Sequence, residues 1–453
     1  MTGREPMNIT QELVEQVRGI DATAVPPEAR TVARHCLLDW FGCAVAGSRE
    51  PLSQILAREI AAGEGGDATL VARSERSTLL DAALINGAMS HALDFDDTHT
   101  LMSGHPSVPI VPAALALAER DGIAGEALLT AIIIGIETEC RLGALMNPGH
   151  YALGFHATGT LGTFGAAAAC AHLLDLDEDQ WLQAMALAGT QAAGLKSGFG
   201  TMAKPLHAGR AASNGLLSAL LARGGYTGNT RIIETEQGFA LTHGAPPLDA
   251  PRLEALRGRF LIADTLFKYH ASCYLTHASI EAARRLRDEH APRPEQIESV
   301  ELRASAGCIG VCDIAKPTTG LEGKFSLRAT VAMTLLGDDT SVPAAFTDTR
   351  MRDAELIAMR ERITFAPQGH IPGTQATVVL RAGGRALTAD ADTGIPATDL
   401  GQQWGALSAK FAALATPVIG VERTSELRDA VARIDAAPSV RELLSLTRPL
   451  VPA

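Results

Sequence analysis

The densest group of chemically active side chains in the sequence lies between residues 91 and 107. The segment reads HALDFDDTH at 91–99 and GHPS at 104–107, which brings Asp94, Thr98 and His105 close together. Asp94 and Thr98 are four residues apart and would share one face if the preceding helix continues. Three aspartates in four positions are also compatible with a divalent-metal site or with an ordinary helix end. We interpret this segment as a catalytic carboxylate and a hydroxyl beside histidines.

A second segment, GHYALGFHATGT at 149–160, combines a tyrosine and two histidines with glycines. It runs into a predicted helix, and the unpaired N–H groups at a helix start favour a bound carboxylate. Tyr151 and His156 are therefore candidate acid or base groups. The alternative for His156 is a purely structural role at the start of the helix.

A third segment, GFGTMAKPLHAGR at 198–210, places Lys204, His207 and Arg210 within seven residues. A buried lysine here could bind a carboxylate, or burial could lower its pKa until it acts as a base. The alternative is an exposed loop lysine without a role. The phosphate-binding pattern G-x-x-x-x-G-K-[ST] is absent from this segment.

A fourth segment, KYHASCYLTH at 268–277, lies where the sequence pattern changes, and pockets are favoured at such domain boundaries. It contributes Lys268 and Cys273. Cys273 as a nucleophile is an alternative, but spacing alone does not pair it with a base. Cys308 and Cys312 are four residues apart and lack a second pair, so they do not predict a zinc site.

The four segments together contain eight of the thirteen histidines. Their convergence predicts one site with local positive charge, acid and base groups, and a carboxylate. That combination suits removal of a proton next to a substrate carboxylate, with cations stabilising the enolate-like intermediate.

The elements that must position these groups are mostly helical. Apolar residues at helical spacing predict helices at 31–45, 79–93, 113–119, 124–146, 158–174 and 209–222. After about residue 268 the pattern becomes α+β: a helix at 276–290, a strand at 297–304, a helix at 324–336, and a hairpin formed by 375–381 and 385–389. Helices are predicted again at 405–414, 424–436 and 440–446.

This pattern predicts a mainly α protein. It predicts a large all-α domain built from both chain ends, at 1–266 and 401–453, with a smaller α+β domain at 267–400 inserted between them. Gly159, Gly162 and Gly165 recur every three residues, which predicts close packing of a neighbouring helix.

Composition limits the function classes. The chain has 453 residues, is 46% hydrophobic and has a net charge of −12, which disfavours nucleic acid and anionic membranes as partners. No apolar run approaches the roughly 18 residues of a membrane span, and the first eleven residues lack a secretory apolar region. The seven cysteines are scattered, which favours reduced thiols and a cytoplasmic location.

These segments, in this order, resemble the MmgE/PrpD family, which includes 2-methylcitrate dehydratases, cis-aconitate decarboxylases and iminodisuccinate epimerases. The similarity covers about residues 10–445 and rests on HALDFDDTH, GHPS, GFHATGTLG, GFGTMAKPLHAGRAASNG, KYHASCYLTH and EGKFSLRATVAMTLL. It implies a helical domain with an α+β lid, a homodimer, and catalysis without metal or organic cofactor. The implied pocket is lined by Asp94, Thr98, His105, His156, Lys204 and Lys268. In the epimerase-like branch, Tyr151 and Lys204 occupy the places of two opposed acid/base groups.

The chain departs from the decarboxylase-like pattern at Cys273, where a histidine is expected, and at Ala329, where decarboxylases and dehydratases carry a tyrosine. It also has Ala203 where a threonine often precedes the lysine. The resemblance predicts a dehydratase-type lyase acting on a small di- or tricarboxylate such as 2-methylcitrate, with Thr98, His207 and Cys273 binding the substrate. The alternatives are an epimerase of an iminodisuccinate-like dicarboxylate, a cis-aconitate-type decarboxylase, and a carboxylate-binding protein without activity.

Overall fold

The computed structural model describes residues 8–61, 66–244 and 248–449. The start of the polar N-terminal stretch and the last four residues of the predicted helical domain lie outside these ranges. Within the described ranges, no helix is both long enough and apolar enough to cross a membrane.

Helices make up most of the described chain, which confirms the prediction of a mainly α protein. The helices are α1 (Ile9–Arg18), α2 (Pro27–Gly47), α3 (Pro51–Ile60), α4 (Leu79–His91), α5 (Ser107–Asp121), α6 (Gly125–Met146), α7 (Gly149–Leu153), α8 (Ala157–Leu173), α9 (Glu178–Gln191), α10 (Ala203–Arg223), α11 (Phe239–Thr242), α12 (Ala250–Glu254), α13 (His277–His290), α14 (Gly320–Gly323), α15 (Leu327–Leu336), α16 (Asp348–Met351), α17 (Ala354–Glu361), α18 (Leu400–Ile419), α19 (Val421–Ala432) and α20 (Arg441–Ser445). The strands are β1 (Ala68–Thr69), β2 (Arg76–Ser77), β3 (Ile297–Ser305), β4 (Ile363–Gln368), β5 (Gln375–Ala382) and β6 (Arg385–Asp392).

The predicted helices are confirmed, but several begin earlier than expected, and the two largest differences, in α5 and α10, occur where prolines occupy the first turn. α5 begins at Ser107, and its Pro109 lies in the first turn. α10 begins at Ala203 and contains Pro205 at its third position. Proline is tolerated there because the first N–H groups of a helix have no partner within the helix. The early start of α10 places Lys204 on a helix rather than in a loop.

The prediction that one helix face carries both Asp94 and Thr98 is wrong. α4 ends at His91, and Asp94 has a φ of +50°, a left-handed conformation that helices exclude. Thr98 instead pairs with Leu266 in an antiparallel bridge, with N–O distances of 2.8 and 2.9 Å. The acidic segment is therefore a tightly folded loop after the helix.

Side chains from both ends of the chain share one apolar core. It joins residues of α1 and α2 to residues of α18, α19 and α20. At the contact between α2 and α18, a Cβ added to Gly42 would lie 3.3 Å from the ring of Phe411. The C-terminal helices therefore complete the helical part of the molecule.

The chain between α12 and α18 builds a second core around a four-stranded sheet of order β4-β3-β5-β6. β3 pairs antiparallel with β5, and β5 pairs with β6 in the predicted hairpin, with positive φ at Gly383 and Gly384. The sequence pattern did not predict β4, which is parallel to β3 and contains Pro367. α13 and α15 pack in this core.

Close helix packing at glycines positions the elements around the site. The predicted approach at Gly162 is confirmed, because an added Cβ would lie 2.6 Å from Cγ of Pro109. α4 and α10 meet in the same way: an added Cβ on Gly87 would lie 2.8 Å from Cα of Gly209. This contact brings the start of α10, with Lys204, to the end of α4, with His91.

We expect Gly209→Ala to destabilise the protein, because the new Cβ would lie 2.2 Å from the carbonyl oxygen of Leu84. Forcing an extra carbon into a packed core costs about 1–3 kcal/mol. The matched control is Gly405→Ala in α18, where an added Cβ meets no atom within 4 Å. The control should stabilise the helix by about 0.5–1 kcal/mol. Urea unfolding of both variants tests this, and equal effects would contradict close α4–α10 packing.

Candidate active site

A cavity of about 250 Å³ opens between the helical part and the sheet-containing part. All four segments singled out in the sequence contribute to its wall. Six of the nine predicted site residues line it: Thr98, His105, Tyr151, His156, Lys204 and Cys273. Asp94, Lys268 and His207 lie behind this layer. The cavity combines one ammonium group and three imidazoles, those of His99, His105 and His156, with the rings of Phe199 and Phe325.

Lys204 projects from the first turn of α10 and is 4% exposed. Its Nζ donates to Oδ1 of Asp94 at 2.6 Å and lies 3.5 Å from Nε2 of His105. The same Nζ lies 5.1 and 5.0 Å from the ring centres of Phe199 and Phe325, within the range of cation–π attraction. Lys204 thus brings positive charge to the cavity surface.

Asp94 is shared by two ammonium groups. Nζ of Lys268 donates to Oδ1 at 2.8 Å and to the carbonyl oxygen of the same residue at 2.9 Å. Burial alone would raise the pKa of Asp94, but Lys204 and Lys268 hold it well below its ordinary value. Burial also opposes the charge of Lys268, yet Asp94 raises the pKa of that lysine. The three groups together have a net charge of +1, and Oδ2 of Asp94 has no hydrogen-bond partner among the described residues.

His105 is oriented by the acidic loop. Its Nδ1 lies 2.9 Å from Oδ2 of Asp96 and 2.8 Å from the carbonyl oxygen of Asp97. Because both neighbours are acceptors, Nδ1 carries the proton and Nε2 keeps its lone pair. Burial lowers the pKa of His105 to about 4, despite the nearby Asp96. The imidazole is therefore neutral at pH 7, with a basic nitrogen beside Lys204.

His156 is the N-cap residue of α8 and is buried. Its Nδ1 lies 3.1 Å from Nδ1 of His207, which stands outside the cavity wall. Burial and then Lys204 hold the pKa of His156 well below its ordinary value. Its Nε2 has no hydrogen-bond partner among the described residues, so a bound substrate can use this atom.

Tyr151 and Cys273 complete the wall. Burial raises the pKa of Tyr151 well above its usual value, so its phenol keeps its proton. Nζ of Lys196 lies 3.9 Å from the centre of the Tyr151 ring. A hydrogen bond from the Cys312 thiol lowers the pKa of Cys273. The Thr98 hydroxyl donates to the carbonyl oxygen of Gly104 at 2.9 Å, which leaves its oxygen lone pairs to accept.

Comparison with known proteins agrees with this arrangement. Residues 11–247 match the model of the MmgE/PrpD N-terminal domain, and residues 270–436 match that of the MmgE/PrpD C-terminal domain. The chain belongs to the MmgE/PrpD family. The resemblance seen in the sequence is confirmed.

Several curated relatives of this MmgE/PrpD chain have named activities. The cis-aconitate decarboxylase-like protein oryM of Aspergillus oryzae is 27% identical over 97% of both chains. The cis-aconitate decarboxylase of Mus musculus is 30% identical over 58% of this chain and 56% of its own. The 2-methylcitrate dehydratase of Salmonella typhimurium is 25% identical over 78% of this chain and 76% of its own. The relatives are lyases, and their names support an enzyme without selecting one reaction.

The MmgE/PrpD site also contains groups that sequence reasoning did not select. Asp96 orients His105 and also lies 2.9 Å from Nδ1 of His91. Asp97 accepts from the hydroxyl of Ser107, and burial followed by Asp39 raises its pKa to about 7. Their presence in the HALDFDDTH segment was the available signal. Spacing could not show which aspartate faces the lysines and which face histidines.

The same groups bear on the question of metal. His91, Asp94, Asp96 and His105 offer ligand atoms within 4.8 Å of one another. However, Oδ1 of Asp94 already faces two ammonium groups, at 2.6 and 2.8 Å. A divalent cation there would lie beside two positive charges in a buried region, where repulsion is strong. The donor set therefore fits a cation poorly, and a metal-free site stays our prediction.

We expect Asp94→Asn to destabilise this MmgE/PrpD protein by about 3–5 kcal/mol, because it leaves the fully buried Lys268 without its carboxylate. The control is Asp288→Asn, which removes exposed ion pairs with Arg284 at 3.5 Å and with Arg287 at 2.9 Å. Such surface pairs contribute at most about 1 kcal/mol. Denaturant unfolding compares the two variants, and similar small losses in both would contradict the ion-pair assignment.

Proposed function

We propose that this MmgE/PrpD chain is a metal-independent, dehydratase-type lyase. Its substrate is a small di- or tricarboxylate such as 2-methylcitrate. The observation that carries the proposal is the pairing, within one cavity, of the Lys204 ammonium and the neutral His105 imidazole, 3.5 Å apart. A cation and a base at this distance are what proton removal next to a carboxylate requires.

The charge of the site supports an anionic substrate. The chain as a whole has a net charge of −12, so attraction of a polyanion must come from the local excess of positive charge. Lys204 presents its ammonium group at the cavity surface, where low solvent access strengthens its attraction for a carboxylate. Nε2 of His156 and the hydroxyl of Thr98 supply further polar contacts for substrate oxygens.

The proposed reaction begins with transfer of the proton alpha to a carboxylate to Nε2 of His105. Asp96 stabilises the resulting imidazolium through Nδ1 at 2.9 Å. Lys204 stabilises the negative charge that develops on the substrate carboxylate. The electron pair of the broken C–H bond then forms the alkene as the β C–O bond breaks. Tyr151 donates its proton to the leaving hydroxide, which departs as water, and His105 returns the proton to the phenol through solvent.

An epimerase is the second candidate, because Tyr151 and Lys204 line the same cavity and could serve two faces of one carbon. Cys273, at a position where decarboxylases carry histidine, also favours this reading. Ala329 is weaker evidence for an epimerase, because it is fully buried and does not line the cavity. The relatives' names support decarboxylation as the third candidate. A homodimer stays a prediction from the resemblance, and a cytoplasmic location stays a prediction from the scattered cysteines.

The reaction class is tested by proton NMR in D₂O with purified protein and 2-methylcitrate, citrate, cis-aconitate, malate, tartrate and iminodisuccinate. We expect an alkene signal to appear as an alpha-proton signal disappears. Deuterium exchange without elimination would instead establish the epimerase, and loss of CO₂ the decarboxylase. No change with any acid would contradict the enzyme proposal, and thermal shift with the same acids would then identify a binding protein.

Lys204→Ala tests the site within the same assay. Removing one group that stabilises developing charge typically lowers kcat by about 10²–10³-fold, and we expect a loss in this range with circular dichroism unchanged. The matched control is Lys316→Ala, an exposed lysine outside the cavity. Normal turnover by Lys204→Ala would make the site assignment wrong.

The pH dependence of kcat/KM tests His105 as the base. Its pKa is lowered to about 4, so the neutral, active form is lost only as pH falls through about 4. We expect activity to persist below pH 6, where an ordinary histidine is mostly protonated. Substrate carboxylates titrate in the same region, so their pKa values are measured separately by NMR. An acidic limb at pH 6–7 would contradict this assignment.

A further inference from the structure

Lysine is rare in this chain and is concentrated at one place. The sequence contains only six lysines, at 196, 204, 268, 316, 324 and 410. Four of them direct their ammonium groups at the four-residue segment 93–96 or its immediate neighbours. Apart from Lys196 and Lys316, the other basic side chains of the chain are arginines and histidines. A compact ammonium with three donors suits a tight cluster of oxygens better than the broad guanidinium does.

Three consecutive carbonyl groups of this segment each accept a hydrogen bond from a different lysine. Lys324 donates to Leu93 O at 2.6 Å, Lys268 to Asp94 O at 2.9 Å, and Lys410 to Phe95 O at 2.5 Å. Lys410 also donates to Lys268 O at 2.9 Å. We call these three side chains the lysine clamp. They come from distant parts of the chain: Lys324 precedes α15, Lys268 follows α12, and Lys410 lies within α18.

The clamp acts on strained backbone. Asp94 has a φ of +50°, which non-glycine residues adopt only when their surroundings hold them there. The carbonyl groups on both sides of this residue are the ones that Lys324 and Lys410 bind. The Leu93 carbonyl belongs to the peptide plane before Asp94, and the Phe95 carbonyl belongs to the plane between Phe95 and Asp96. Lys268 holds the plane between these two through the Asp94 carbonyl. Holding the three planes together fixes the direction of the Asp94 carboxylate toward Lys204.

The charges of Lys324 and Lys410 are balanced differently. Nζ of Lys410 lies 2.6 Å from Oδ1 of Asp39, so it belongs to an ion pair. Lys324 is buried and forms no carboxylate pair among the described residues; it contacts the Leu93 carbonyl and lies 5.9 Å from the ring centre of Phe346. Burying an ammonium group with a single carbonyl partner is costly unless it serves another purpose.

We propose that Lys324 and Lys410 are positioning residues for the acidic loop. Neither lines the cavity. They act by holding Asp94 in its left-handed conformation, which in turn places the Lys204 ammonium beside His105. The kinetic part of this proposal rests on the proposed function, whereas the structural part does not.

The test compares Lys324→Met and Lys410→Met with the control Lys316→Met, which alters an exposed lysine. Methionine keeps the apolar stem and removes the donor. We expect kcat to fall at least tenfold in both clamp variants while KM changes less than threefold, and the control to match the wild type. Lys324→Gln, which restores a neutral donor, should recover part of the loss. Combining Lys324→Met with Lys204→Ala should add no further loss, because both act through the same ammonium group.

Crystal structures of the same variants make the outcome independent of turnover. We expect the Lys204–Asp94 distance to increase from 2.6 Å and φ of Asp94 to leave the left-handed region. If both are retained in the two clamp variants, the proposal is wrong whatever the kinetics. If Asp94 moves as expected but the wild type converts none of the acids, the positioning role holds and the proposed function fails. A variant that does not fold is replaced by its glutamine counterpart in the same measurements.

Discussion

A single buried negative charge, the Asp94 carboxylate, holds the site together. Two ammonium groups meet at one of its oxygens, at 2.6 and 2.8 Å, and burying either of them without this carboxylate would be costly. Because Lys204 starts α10 and Lys268 stands before the inserted sheet region, this carboxylate also joins the two parts of the molecule. Three features of the fold bring these side chains together. They are the helix contacts at glycine, the early start of α10 and the sharp turn after α4.

The second feature of the site is that its imidazoles are neutral. A histidine close to two lysines and deeply buried would be expected to lose its proton, and His105 does, with a pKa of about 4. Asp96 fixes which nitrogen keeps the proton, so the lone pair is directed at the cavity side. Lys204 therefore supplies the positive charge and His105 the basic nitrogen. An anionic substrate can bind to the lysine while the neighbouring imidazole stays neutral and able to accept a proton.

The sequence predicted much of the fold because helical periodicity and hairpin glycines are local signals. It predicted α6 and α8 to within one residue at each end, and the hairpin at Gly383 and Gly384. It failed where the outcome depends on tertiary contacts. The left-handed φ of Asp94 is set by lysines that are distant in sequence, and a local pattern read it as continuing helix. β4 was missed because its parallel pairing with β3 is a long-range contact across several helices.

For the site, residue types identified the right segments, but not which side chains line the cavity and which lie behind them. Lys204 and Lys268 carry equal weight in the sequence, yet one lines the cavity and the other lies behind Asp94. Asp96 was not chosen over its neighbours because only the folded loop shows which carboxylate faces His105. Lys410 gave no signal at all, since a lysine on a C-terminal amphipathic helix is usually a solvated surface residue.

The position of Lys410 also affects when the protein becomes competent during its synthesis. Its partner carbonyl at Phe95 lies 315 residues earlier in the chain. All the residues that line the cavity precede α18 in the chain, so a nascent chain can contain every cavity side chain before Lys410 is available to bind their loop. The hydrogen bond from Lys410 to this loop can form only after α18 packs against α2. Assembly of the site is thereby tied to the synthesis of α18, and a fragment that stops short of this helix lacks part of the support for its loop.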